Sequence, residues 1–120
     1  MCVKPSILIV DDEANIRSAL ERWFNIRGFQ VEQAQDGQEA VEKCATRQYD
    51  VITMDLEMPR MNGIDAIFHI KQSQPNVPIV VLTAYPRDSK QALENGASMV
   101  LTKPLRLRDL EAQVRELLGS

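Results

Sequence analysis

Val51-Ile52-Thr53-Met54-Asp55, followed by Leu56-Glu57-Met58-Pro59-Arg60-Met61-Asn62-Gly63, is a short apolar run that stops on a carboxylate and gives way to a loop with a proline and a glycine. A compact β-branched run of this kind suits a strand buried on both faces, as in a parallel sheet, and the Pro and Gly mark its exit. Asp55 is therefore predicted at the carboxyl end of a strand, the edge of an open α/β sheet where ligands bind. The design recurs. Ile7-Leu8-Ile9-Val10 ends on Asp11-Asp12-Glu13, Ile79-Val80-Val81-Leu82 ends on Thr83, and Val100-Leu101-Thr102 ends on Lys103. Laid side by side and parallel, these strands bring carboxylates, a hydroxyl and an ammonium to one patch.

Working outward, the segments between the strands read as helices. Ile16, Ala19, Leu20, Trp23 and Phe24 recur at helical spacing with Arg17, Glu21 and Arg22 opposite, which predicts an amphipathic helix from about Ala14 to Arg27 before Gly28. Phe29, Val31 and Ala34 alternate with polar residues as in a partly exposed strand. Asp36 with Glu39 reads as a capping pair opening a helix whose inner face carries Ala40, Val41 and Cys44 and which ends near Gln48. A third helix starts at Gly63 or Ile64, with Ile64, Ile67 and Ile70 inward, His69 outward and Phe68 at the rim. From Arg87 to Asn95 only Ala92 and Leu93 are apolar, so the fourth helix is weakly patterned and Gly96 ends it. After Pro104, the spacing of Leu107, Leu110, Val114, Leu117 and Leu118 predicts a last helix with Glu111, Arg115 and Glu116 facing water; Arg106 is a poor cap for it, partly offset by Asp109. Strands alternating with helices five times over imply a doubly wound α/β domain with helices on both faces of a parallel sheet. Residues 1–120 are expected to form that single domain.

Composition narrows the function. With 120 residues, 44% hydrophobic and 26% charged, the chain belongs among globular domains able to bury a core without staples. A net charge of -3 offers no basic surface to a nucleic-acid backbone. Cys2 and Cys44 lie far apart with no metal-ligand spacing, which suits a reduced, cytoplasmic protein. No apolar run approaches a membrane span or a signal-peptide core.

At the predicted sheet edge, Asp11, Asp12 and Asp55 would converge, and like charges that close repel unless a cation joins them. Hard carboxylate oxygens without His or Cys suit Mg²⁺, which leaves room for phosphate oxygens. Thr83 and Lys103 are groups that hold a phosphoryl oxygen, and Asp is a covalent acceptor of phosphate. Plainer readings exist for each residue alone: Asp12 and Asp36 as helix caps, Thr83 as a strand former, Lys103 and Glu57 as solvated charges. Their joint appearance at successive strand ends favours phosphoryl chemistry on a carboxylate.

Asp11-Asp12-Glu13, Asp55-Leu56-Glu57-Met58-Pro59 with Gly63, Thr83-Ala84, and Gly96-Ala97 leading to Lys103-Pro104 together resemble the receiver domain of two-component response regulators, from about Ser6 to Leu118. The resemblance implies a flavodoxin-like five-stranded sheet of order 2-1-3-4-5 with five helices. It implies Asp55 as phosphorylation site, with Asp12, Asp55 and the backbone carbonyl of Glu57 on Mg²⁺, Asp11 acting through water, and Thr83 and Lys103 on the phosphoryl group. It also implies a cis Lys103-Pro104 bond and a histidine kinase or histidine phosphotransfer protein as partner. Such a domain catalyses only its own phosphorylation and dephosphorylation, and its α4-β5-α5 surface switches; some relatives dimerise through their last helices. The chain departs from the family at Val100, where an aromatic switch residue is usual, and in a stretch from Thr83 to Gly96 about two residues short and containing Pro86, which implies a shortened or irregular fourth helix. Glu57 and Tyr85 stand where the family tunes access of water to the phosphoryl group. Two other readings stay open: a binding module of the same fold that carries no phosphate, and a phosphohydrolase with an aspartyl-phosphate intermediate. The second lacks a DxD signature after the first strand. A nucleotide-binding reading ranks lower, because the first strand-helix turn contains no glycine.

Overall fold

Four apolar runs and the alternating stretch after Phe29 become the strands of one sheet in the computed structural model, which describes residues 3–57 and 63–119. Cys2 and residues 58–62, including Pro59, lie outside the described residues. The chain runs β1 (Ser6–Val10), α1 (Ala14–Ile26), β2 (Gln30–Ala34), α2 (Gly37–Thr46), β3 (Val51–Asp55), α3 (Gly63–Ser73), β4 (Ile79–Thr83), a 3-10 turn (Pro86–Asp88), α4 (Ser89–Glu94), β5 (Met99–Thr102) and α5 (Leu107–Leu117). The strand order is β2-β1-β3-β4-β5, and every pairing is parallel.

Alternation along the strands sorts the core into two layers. Leu8 and Val10, Ile52 and Met54, Ile79 and Val81 point to one side, where Ala40, Cys44, Ile64, Ile67, Ile70 and Ala92 of α2, α3 and α4 cover them. Ile7 and Ile9, Val51, Val80 and Leu82 point to the other, beneath Leu20 and Phe24 of α1 and Leu110 and Val114 of α5. Burial on both faces is why β3 and β4 contain no exposed residue and read as unbroken apolar runs.

Local chemistry sets the ends. Asp36 caps α2 by accepting the Glu39 N–H at 2.8 Å, and the Glu39 carboxylate reaches back to the Gln35 N–H at 2.7 Å. The second bond lands one residue upstream of the cap itself, a displaced version of the expected pair. Gly96 closes α4 at φ +120, a conformation that L side chains rarely adopt. At Gly63, the start of α3, a Cβ would stand 3.0 Å from the Leu56 Cα and 3.1 Å from the Asp55 carbonyl oxygen, tighter than most side chains meet backbone, so glycine eases the start of the helix this close to the β3 exit. The fourth helix is reduced to six residues behind a proline-led 3-10 turn, in keeping with the shortened or irregular helix expected from the short stretch containing Pro86. Arg106 caps α5 without a side-chain bond, and Asp109 is the acid in its first turn. The Lys103-Pro104 bond is cis.

Two expectations fail. Ile16 and Ala19 are exposed while Arg17 is half-buried, because its guanidinium folds inward to the Asp11 carbonyl at 2.7 Å and to Gln33 at 3.0 Å, so the inner face of α1 is carried by Leu20 and Phe24. Glu111 does not face water. It is 4% exposed, and its carboxylate accepts from the Trp23 indole at 2.9 Å, from Arg115 at 2.7 Å and from Arg27 at 3.2 Å. Three donors offset the cost of burying its charge, and they hold the carboxyl below its ordinary range against the opposing effect of burial.

Candidate functional site

Parallel pairing carries the strand ends to one level. Val10 pairs with Met54, Asp55 with Leu82 and Thr83 with Thr102. The ladder continues one residue further at each exit: the Asp11 N–H donates to the Ala34 carbonyl at 3.1 Å, Leu56 to Leu82 at 3.2 Å and Lys103 to Thr83 at 2.8 Å. These bonds pin Asp11, Leu56 and Lys103 against neighbouring strands, so that the side chains of Asp11, Asp55 and Lys103 come together at the carboxyl edge of the sheet while that of Leu56 joins the core.

Both central acids fold their own loops. Asp11 Oδ1 accepts the Glu13 N–H at 2.9 Å, and Asp55 Oδ1 accepts the Glu57 N–H at 3.0 Å. Such turns, in which an Asp binds the backbone two residues on, hold a carboxylate rigidly and turn the chain away from it. Asp11 and Asp55 are 2% and 3% exposed, whereas Asp12 lies open to solvent. One carboxylate oxygen from each of the three lies within 4.8 Å of the others.

Lys103 completes the cluster, its Nζ donating to Asp55 Oδ1 at 2.9 Å. The Asp55 carboxyl nevertheless sits above its ordinary range, because burial outweighs the ammonium and the Glu57 amide. Asp11 is pushed up to about 6 by burial, with Asp55 and Asp12 adding to the effect against the Glu13 amide and Lys103. Burial alone would lower Lys103, yet its bond to Asp55 and the charges of Glu57 and Asp11 raise it. One ammonium therefore does not neutralise the cluster. Three convergent hard oxygens of like charge fit a small divalent cation, and the set contains no soft or imidazole donor.

Thr83 is fully buried at the end of β4. Its Oγ1 donates to Glu57 Oε2 at 2.8 Å and accepts the Tyr85 N–H at 3.0 Å. The Ala84 N–H donates to Glu57 Oε1 at 3.0 Å, and that oxygen lies 3.7 Å from Lys103 Nζ. Asp11, Asp12, Asp55, Glu57, Thr83 and Lys103, each named from the sequence, thus meet at one edge. Sequence reasoning missed the Ala84 amide, the grip of Arg17 on the Asp11 carbonyl, and the reach of the Glu57 side chain across to β4. Nothing local signals a contact between residues 26 positions apart. His69 is exposed on α3. Val100 is half-buried and packs against the core layer of α2, α3 and α4.

Comparison with known proteins gives concordant results. A family model described as response regulator receiver domain matches residues 7–115. The response regulator MprA of Mycolicibacterium vanbaalenii is 38% identical over 114 residues, which cover 93% of this chain and 49% of that protein. The chain thus spans about half the length of the curated relatives it matches. A CheY-like receiver domain protein from Methanospirillum hungatei superposes with a TM-score of 0.94 at 26% identity, covering 98% of this chain and 95% of that one. The response regulator TrrA of Thermotoga maritima, solved in complex with Mg²⁺ and BeF, superposes with a TM-score of 0.86 at 30% identity, covering 96% and 99%.

Proposed function

Because the chain belongs to the response regulator receiver domain family, we propose that Asp55 is its phosphoacceptor and that a histidine kinase or histidine phosphotransfer protein in the cytoplasm is its donor. The observation that carries the reading is the buried Asp55 carboxylate held at 2.9 Å by Lys103, with oxygens of two further acids beside it. A Mg²⁺ ion, held by Asp12, Asp55 and the Glu57 carbonyl with Asp11 nearby, would supply the positive charge that the phosphoryl oxygens need.

The chain's own residues do the rest. The Asp55 oxygen not bonded to Lys103 and the Glu57 amide is the available nucleophile. It forms the new O–P bond as the P–N bond of a phosphoimidazole breaks, the electron pair leaving on nitrogen, which takes a proton from solvent. Lys103 neutralises charge spread over the equatorial oxygens, and the rigid turn at Asp55 fixes the line of attack. Hydrolysis of the acyl phosphate by water returns the carboxylate and inorganic phosphate. The modification adds roughly 1.5 to 2 negative charges beside Thr83 and Ala84, at the root of the loop into α4, and biases the α4-β5-α5 surface that an effector reads. With Val100 in β5, that bias is carried by the loop rather than by an aromatic ring.

Intact mass after incubation with Mg²⁺ and acetyl phosphate tests the reading. One added phosphoryl per chain, absent from Asp55→Asn, is expected. Sustained release of free phosphate far beyond one equivalent would instead favour a hydrolase, and no adduct would favour a silent binding module.

A further inference from the structure

The Glu57 side chain has a position that the phosphoacceptor reading leaves unused. Its carboxylate accepts the Thr83 hydroxyl at 2.8 Å and the Ala84 N–H at 3.0 Å, and lies 3.7 Å from the Lys103 ammonium. A hydroxyl, a backbone amide and an ammonium drawn from the exits of β4 and β5 form a set of donors suited to an anion. In the unmodified protein that anion is Glu57.

The same donors flank Asp55, since Lys103 bonds it at 2.9 Å and Thr83 follows Leu82, the residue of the neighbouring strand β4 that pairs with Asp55. A phosphoryl group on Asp55 brings oxygens that only accept hydrogen bonds, and Lys103, Thr83 and Ala84 are the donors within its reach. Two anions cannot share them, because like charges a few ångströms apart in a partly buried site repel strongly. We propose that Glu57 is a built-in competitor for the phosphoryl group: its carboxylate holds the phosphoryl donors in the resting state and must leave as the modification arrives. This inference rests on the phosphoacceptor reading of Asp55. The Glu57 side chain is 30% exposed, so it has an open path to water when displaced. The loop after β4 is accordingly held by an anion in both states, and switching is the exchange of one anion for another rather than the capture of a loose loop.

The test compares wild type with Glu57→Ala and Glu57→Gln, using beryllofluoride with Mg²⁺ as the phosphoryl mimic and acetyl phosphate as donor. Removing the competitor should tighten beryllofluoride binding about tenfold, the size of one charge-assisted contact no longer displaced, and should speed formation of the adduct seen by intact mass by a similar factor. Glu57→Gln, which keeps the shape without the charge, should fall between. In the free protein the Ala84 amide should lose protection from hydrogen exchange in Glu57→Ala. A variant that merely loosened the site would bind beryllofluoride more weakly. Equal or weaker binding by Glu57→Ala, with the adduct still forming on wild type, overturns the competitor role alone. No adduct on wild type or variant overturns the phosphoacceptor reading and the competitor role together.

Discussion

At the scale of single residues, Asp11 and Asp55 share one device: each accepts the amide two residues ahead, so the two central carboxylates are fixed by backbone and not by long side chains. That placement follows from their position at a strand exit, which is why both were legible in the sequence. Thr53, two residues before Asp55 in β3, has no such account. It is 1% exposed, and its hydroxyl finds no hydrogen-bond partner among the described residues. A buried unpaired hydroxyl costs about 1 kcal/mol or more, whereas an apolar group of the same shape does not. Thr53→Val should therefore raise stability by about 1 kcal/mol, read as a higher urea midpoint with an unchanged slope.

Among elements, the notable join is α1 to α5. Glu111 ties Trp23 and Arg27 near the end of α1 to Arg115 one turn along α5, Arg115 donates to the Arg27 carbonyl at 2.8 Å, and the Arg27 and Arg115 guanidiniums stack on Trp23 and Phe29. The spacing contained the signal: Glu111 follows Leu107 by four and precedes Val114 by three, which puts it on the inner face, but its charge argued for water. Glu111→Gln should cost about 2 kcal/mol at neutral pH, less than a fully buried pair because both arginines are partly exposed. The native carboxyl titrates below its ordinary value of 4.5. A group depressed in the folded state stabilises above its unfolded pKa and loses that contribution as pH falls through the folded one. The gap between wild type and Glu111→Gln should thus be full at pH 7 and close progressively below about pH 4.5, followed by urea unfolding with Trp23 fluorescence.

For the whole molecule, a five-stranded sheet covered on both faces leaves its carboxyl edge as the place where groups from separate strands meet in partial burial. A ligand that binds there only in the folded state must stabilise the entire domain. Beryllofluoride with Mg²⁺ at about 100 times its dissociation constant should add about 2.7 kcal/mol, seen as a rise in Tm of several degrees that is absent without Mg²⁺ and absent in Asp55→Asn. The sequence by itself determined the alternation of strands and helices, the strand ends and the acids, hydroxyl and ammonium they present, because apolar period and turn chemistry are local properties of the chain. The stunted α4 was legible only against the family resemblance, in a stretch about two residues short that contains Pro86. Only the tertiary structure decided that the Glu57 carboxylate spans to Thr83 and Ala84, that Arg17 turns inward to meet Gln33 of β2, and that Glu111 is buried under two arginines and a tryptophan. Those contacts join segments far apart in the chain, and a charged side chain goes inside only when donors from elsewhere arrive to meet it, which no local pattern records.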